Sequence, residues 1–166
     1  TVTSENHPDR FTPVQSSDEK FGKESAAEIL IDSKHLKQRI RGFGGAFTEA
    51  MHVALDRLGP EARKTALRAY FDPEHGLNYS FCRTHINSCD FSLGNYDYGS
   101  VPEDHEFKQF DISRDEAGLI PLIQDAQRIA SQPLRLLASP WSPPGWMKTT
   151  GRMNGFGKLR RDCYAT

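Results

Sequence analysis

The chain has 166 residues, 37% of them hydrophobic and 26% charged, with a formal net charge of -1. That length suits a soluble domain with a buried core. The near-neutral balance, with no block of one sign, excludes the basic footprint that a nucleic acid or an anionic membrane would need. No apolar run approaches the roughly 20 residues that span a bilayer, so no transmembrane segment is expected.

Residues 1–27 are polar, carry Pro8, Pro13 and Gly22 and show little periodicity, which reads as a poorly ordered N-terminal extension. The chain begins at Thr1 rather than Met and has no signal-peptide pattern, so its natural start is expected upstream. Glu28-Ile29-Leu30-Ile31-Asp32 and Gln38-Arg39-Ile40-Arg41 read as short strands joined by a turn. Gly42-Phe43-Gly44-Gly45 follows, with glycines that allow close backbone approach. Thr48 is placed to cap a helix over 49–58. Gly59-Pro60 ends it and begins a second, with proline at its favoured first position. The buried stripe of that second helix is expected at Ala62, Ala66, Leu67 and Tyr70, and Asp72-Pro73 closes it.

Residues 77–86 form the next strand, with Phe81, Arg83 and His85 on one face and Cys82, Thr84 and Ile86 on the other. A long loop over 87–114 is rich in Asp, Asn, Gly and Tyr; loops of that length inside compact domains tend to be functional or disordered. Ser113-Arg114-Asp115-Glu116 fits a capping box. Leu119, Leu122, Ile123, Ala126 and Ala130 then form a helical stripe, with Gly118 and Pro121 putting the regular start near Leu119. Residues 134–148 open as an apolar run, read as a buried strand. They close in Pro140-Trp141-Ser142-Pro143-Pro144-Gly145-Trp146, which can continue neither strand nor helix. Such a strand ending in a stiff aromatic loop builds the floor of small-molecule sites, or simply buries two indoles.

Strand, helix, strand, helix, strand is the pattern of a parallel sheet with crossover helices. Either a doubly wound sheet or the start of an eight-unit barrel fits, and a closed barrel needs about 250 residues. A dinucleotide loop at Gly42 is disfavoured, because Phe47 stands where the fingerprint needs a sixth-position glycine or alanine. Zinc at Cys82, His85 and Cys89 is disfavoured by strand alternation. The three cysteines, with Cys163 the last, cannot all pair, and they leave the compartment open. Arg83, Asn87 and Asp90 lie in or just past one strand, and Trp141 just past the next. In parallel sheets those ends share the ligand-binding face. A carboxylate beside an aromatic plane suits a sugar: the acid accepts hydroxyl hydrogen bonds and the ring covers the C–H face. The plainer alternative has Asp90 capping a turn and Arg83 pairing with it as a structural bridge.

Three long motifs, Gly42-Phe43-Gly44-Gly45-Ala46-Phe47-Thr48-Glu49, then Cys82-Arg83-Thr84-His85-Ile86-Asn87-Ser88-Cys89-Asp90-Phe91-Ser92, then Leu136-Leu137-Ala138-Ser139-Pro140-Trp141-Ser142-Pro143-Pro144-Gly145-Trp146-Met147-Lys148, occur in this order. Together they make the chain resemble glycoside hydrolase family 30, within it the glucosylceramidase branch, from about Ile29 onward. The resemblance implies a (β/α)8 TIM barrel beside a small β-sandwich. Residues 28–41 would supply strands of the side domain, and 42–166 about three βα units, ending before barrel strand four. It implies retaining hydrolysis of a β-glucosidic bond, typified by glucosylceramide in sphingolipid catabolism. No cofactor or metal is implied, and the partner is a small-molecule or lipid-linked glucoside. Asp90 and Trp141 match positions that contact the glucose hydroxyls and ring, and Arg83 one that supports the catalytic carboxylates. With Asn87 these are the expected substrate-binding residues. The family's acid/base and nucleophile glutamates follow motifs on strands four and seven that do not occur before Thr166. No catalytic residue is therefore expected in this chain, and Glu49 with Asp90 is not taken as a substitute pair. By itself the chain is expected to be inactive, with an unpaired sheet edge. The alternative is a complete, non-catalytic carbohydrate-binding module.

Overall fold

The computed structural model describes residues 32–165. The chain divides into two compact units, one up to Arg39 and one from Ile40. The extension expected over 1–27 and the first side-domain strand, save Asp32, lie outside the described residues. The described part of the first unit opens with a turn at Asp32, whose carboxylate accepts the Lys34 amide at 2.9 Å. Gln38 to Arg41, expected as a strand, is not one. A strand is defined by its ladder of backbone partners, and these residues make no such bonds among the described residues.

The second unit runs α1 (Glu49–Arg57), α2 (Pro60–Phe71), β1 (Phe81–Ile86), α3 (Ser113–Glu116), α4 (Leu119–Ile129) and β2 (Arg135–Pro140). Strands β1 and β2 pair in parallel, from Phe81 opposite Arg135 to Ile86 opposite Pro140. On the other edge of β1, the Arg83 amide donates to Gly45 at 3.0 Å and the Phe47 amide to Arg83 at 2.8 Å, forming a parallel bridge at Ala46. Residues 43–47, β1 and β2 are thus three successive parallel segments with helices between them, the arrangement of a barrel wall. Gly44 shows why the glycines are there: a Cβ on it would lie 2.0 Å from the Phe81 carbonyl oxygen.

The core lies on the helical side, where Phe47, Leu55, Leu67, Phe71, Cys82, Leu119, Leu122 and Ala126 form one cluster. The Phe47 and Phe71 rings stack at 5.5 Å. Thr48 caps α1 as expected, its hydroxyl accepting the Met51 amide at 3.2 Å. Pro60 is at the start of α2, and α4 begins at Leu119.

Four further local expectations differ from the structure. The buried face of α2 runs through Leu67 and Phe71, while Ala62 and Tyr70 are exposed. Leu67 and Phe71 pack in the core cluster, and Arg63 on the same helix pairs with Asp125 of α4; the partners of both lie far along the chain, where a count of apolar residues within one helix does not reach. Ser113 is the first residue of α3 rather than its cap, because the Asp111 carboxylate already takes the Ser113 amide at 2.8 Å. The strand expected from residue 77 begins at Phe81. Asn78 is left-handed, and the Leu77 and Tyr79 amides bond back to the end of α2. Finally β2 is not buried: Leu136 and Leu137 are 42% and 56% exposed, for β1 alone flanks it among the described residues. No helix among those residues is long and apolar enough to cross a membrane.

Candidate functional site

The loops leaving the carboxyl ends of β1 and β2 enclose a cavity of about 940 Å3, with Asn87, Asp90, Asn95, Trp141, Lys148 and Asn154 in its lining. Asp90 and Trp141, expected to share a face, line the same space. A second cavity of about 290 Å3 lies among α1, α2 and β1 and has no carboxylate in its lining. A carboxylate, Asp90, lines the larger one.

Asp90 sits in a tight turn held at both ends. The Ser92 amide donates to Cys89 at 2.9 Å and the Ala50 amide to Phe91 at 3.0 Å, and the Cys89 amide donates to the Ser92 hydroxyl at 3.0 Å. The Asp90 carboxylate itself is exposed and makes no hydrogen bond or ion pair among the described residues. The structural bridge to Arg83 is accordingly not formed. The Arg83 Nε–H donates instead to the Ser139 hydroxyl at 2.8 Å, and its guanidinium lies 5.3 Å from the centre of the Trp141 ring. That contact orients an indole that is still 43% exposed.

The two tryptophans divide the work. Trp146 donates its indole N–H to the Gly99 carbonyl at 2.7 Å and packs edge-on with His105 at 5.2 Å, so it fastens loops together. Trp141 remains open to the cavity. Asn87 is 8% exposed and left-handed, with φ +61°. Its amide oxygen accepts the Tyr98 amide at 3.1 Å and its amide nitrogen donates to the Ser142 carbonyl at 2.9 Å.

Glu49 does not line the cavity. It accepts from the Leu93 amide at 2.7 Å and from Arg114 at 2.8 Å. Burial pushes its carboxyl up, but the Arg114 and Leu93 hydrogen bonds outweigh that and hold it below the usual carboxylate range. Burial and the nearby Asp115 push the Tyr96 and Tyr98 hydroxyls well above the ordinary tyrosine range. Both donate to that one buried carboxylate, so the loop is fastened by neutral phenols.

Two contributors were not weighed from the sequence. Lys148 is buried in the lining, and its ammonium donates to the Met153 carbonyl at 2.7 Å and the Gly155 carbonyl at 3.4 Å. Ser139 seats Arg83. Both stand inside the third motif, but a lysine after an aromatic loop and a serine in a strand carry no signal of their own. Glu103, His105 and Asp162 could bring ligand atoms within 4.8 Å of one another. Arg160 pairs with both carboxylates of that group, which opposes a second cation there.

The model of the glycosyl hydrolase family 30 TIM-barrel domain matches residues 40–165. The mouse lysosomal acid glucosylceramidase is 41% identical over 124 residues, 74% of this chain and 24% of that protein. A putative glucosylceramidase 3 of Caenorhabditis elegans is 42% identical over 135 residues, 81% of this chain and 26% of its own length. An endo-1,6-beta-D-glucanase of Neurospora crassa is 33% identical over 140 residues, 81% of this chain and 28% of that protein. Among solved structures, SrfJ from Salmonella typhimurium superposes with a TM-score of 0.73 at 47% identity, covering 79% of this chain and 29% of that one. The chain thus spans about a quarter of the length of the curated relatives it matches. Its parallel barrel wall, its strand-tip cavity and the match over residues 40–165 lead to one assignment: the chain belongs to glycosyl hydrolase family 30 and carries part of its TIM barrel.

Proposed function

We propose that this chain forms the sugar-binding wall of a retaining β-glucosidase whose substrate is glucosylceramide or a related β-glucoside. The observation that carries the reading is the pairing of an unengaged carboxylate, Asp90, with an open indole, Trp141, on one cavity. The carboxylate accepts hydrogen bonds from glucose hydroxyls. The indole lies against the apolar C–H face of the ring. Arg83 holds the indole in place and puts positive charge beside the carboxylates that act on the bond.

The bond-breaking groups lie outside the described residues in this proposal. Retaining hydrolysis uses two carboxyl groups about 5–5.5 Å apart, one forming a covalent glycosyl-enzyme and the other acting as acid and then base. Asp90 is the single carboxylate in the cavity lining among the described residues, and Glu49 is committed to Arg114 and Leu93. The pair is assigned to barrel strands four and seven of the whole protein, and residues 28–41 to the approach from its side domain.

Hydrolysis of an aryl β-glucoside tests this. The full-length protein is expected to turn it over and release β-glucose first, the retained anomer. The isolated 166-residue chain is expected to give no turnover above buffer. Turnover by the isolated chain would overturn the assignment of the acid and nucleophile. An inactive full-length protein whose isolated chain binds glucosides would favour a carbohydrate-binding module.

A further inference from the structure

Asn87 was expected to touch substrate. Its surroundings give it a different task. Both ends of its amide are engaged, the oxygen by the Tyr98 amide and the nitrogen by the Ser142 carbonyl. Its own carbonyl accepts the His85 ring N–H at 2.6 Å, and that ring is buried. The backbone at Asn87 is left-handed, a conformation that asparagine tolerates better than most side chains. Three residues further on is Asp90. The residue before Ser142 is Trp141. One amide therefore joins the loop that bears the carboxylate to the loop that bears the indole.

We propose that Asn87 is a positioning residue that sets the separation of Asp90 and Trp141, and so decides whether one sugar ring can engage both. This rests on the sugar-binding reading above. His85 holds the Asn87 carbonyl, which fixes the turn of the chain out of β1. Tyr98 is anchored in turn by its hydroxyl on Asp115, so the clamp is tied to α3 as well as to the loop after β2. Asn87 itself acts only through the two groups it spaces. A displacement of about 1 Å in a positioning contact can cost on the order of a hundredfold in rate.

The test is a double-mutant cycle in the full-length protein, measuring kcat/KM on an aryl β-glucoside together with thermal melting. Asn87→Asp keeps the shape but turns a carboxylate oxygen toward the Ser142 carbonyl. It is expected to lower kcat/KM about tenfold or more, and to lower the melting midpoint too, because it sets a buried carboxylate against a carbonyl oxygen. Asn87→Gly keeps the left-handed backbone without strain and removes the clamp; a loss in the same direction is expected, and it carries the cycle if Asn87→Asp does not fold. Asp90→Asn alone should also lower kcat/KM. Adding Asn87→Asp to Asp90→Asn should then cost less than about twofold, because the group being placed has already been disabled. The same fold-loss in both backgrounds would overturn the proposal, since a general structural defect scales them alike. An Asp90→Asn protein as active as the unmodified one would sink the sugar-binding reading, and this proposal with it.

Discussion

Leu122 of α4 is wholly buried against the helical core, whereas Trp141, at the tip of β2, leaves 43% of its surface open. The first sits among apolar side chains from α1, α2 and β1. The second is held by one guanidinium face and a neighbouring loop of side-chain-to-backbone hydrogen bonds. The comparison teaches where two properties reside. Apolar burial on the helical side supplies stability, at roughly 25 cal/mol per Å2 removed from water. The loop side buries mostly polar groups, Asn87, Ser88, Asp115 and Lys148 among them, and engages them over long spans, which leaves the Asp90 carboxylate unengaged and Trp141 partly open.

The largest effect expected from breaking this division lies on the helical side. Leu122→Ala in the full-length protein should lose about 2–5 kcal/mol of unfolding free energy, read from denaturant titration. The kcat/KM of the molecules that remain folded should stay near the unmodified value. A matching drop in kcat/KM would mean that the helical core also shapes the cavity, and the division would fail.

A smaller effect is expected where the two regions meet. Glu49 belongs to α1 but fastens the loop after β1 through the Leu93 amide and Arg114. Its carboxyl lies below its ordinary value of 4.5 in the folded chain. A depressed carboxyl contributes stability that is fully present above that ordinary value and disappears as the pH falls through the folded one. Glu49→Gln should therefore flatten the acid-side loss of melting temperature below about pH 4.5. An unchanged acid slope would show that the contact between the regions carries no net charge stabilisation.

Much of the helical side was legible in the sequence, because its signals are local. Thr48 as a cap, Pro60 at a first turn, and the spacing of Leu119, Leu122 and Ala126 act within a few residues of where they stand. The errors arose where a partner that the apolar pattern does not weigh decided the outcome. The buried face of α2 packs on a core drawn from the whole unit, with Arg63 pairing to Asp125, and Asp111 took the capping role given to Ser113. The apolar run of β2 is exposed because burial depends on neighbours that no strand carries in its own sequence. At the site, the parallel strand ends expected from the sequence bring Asp90 and Trp141 to one cavity, with Arg83 reaching the indole from within β1. The hydrogen bonds of Asn87 were not legible, since its partners stand 11 and 55 residues away. Lys148 was missed for another reason: its partners are backbone carbonyls, which any sequence supplies.

The central claim, that Asp90 and Trp141 together receive a glucose ring, is tested most directly by a crystal structure of the full-length protein with glucose bound. The account predicts a sugar hydroxyl oxygen about 2.5–3.0 Å from an Asp90 carboxylate oxygen, with the Trp141 indole against the ring. A glucose held outside the cavity between the β1 and β2 loops, with Asp90 still unengaged, would contradict it.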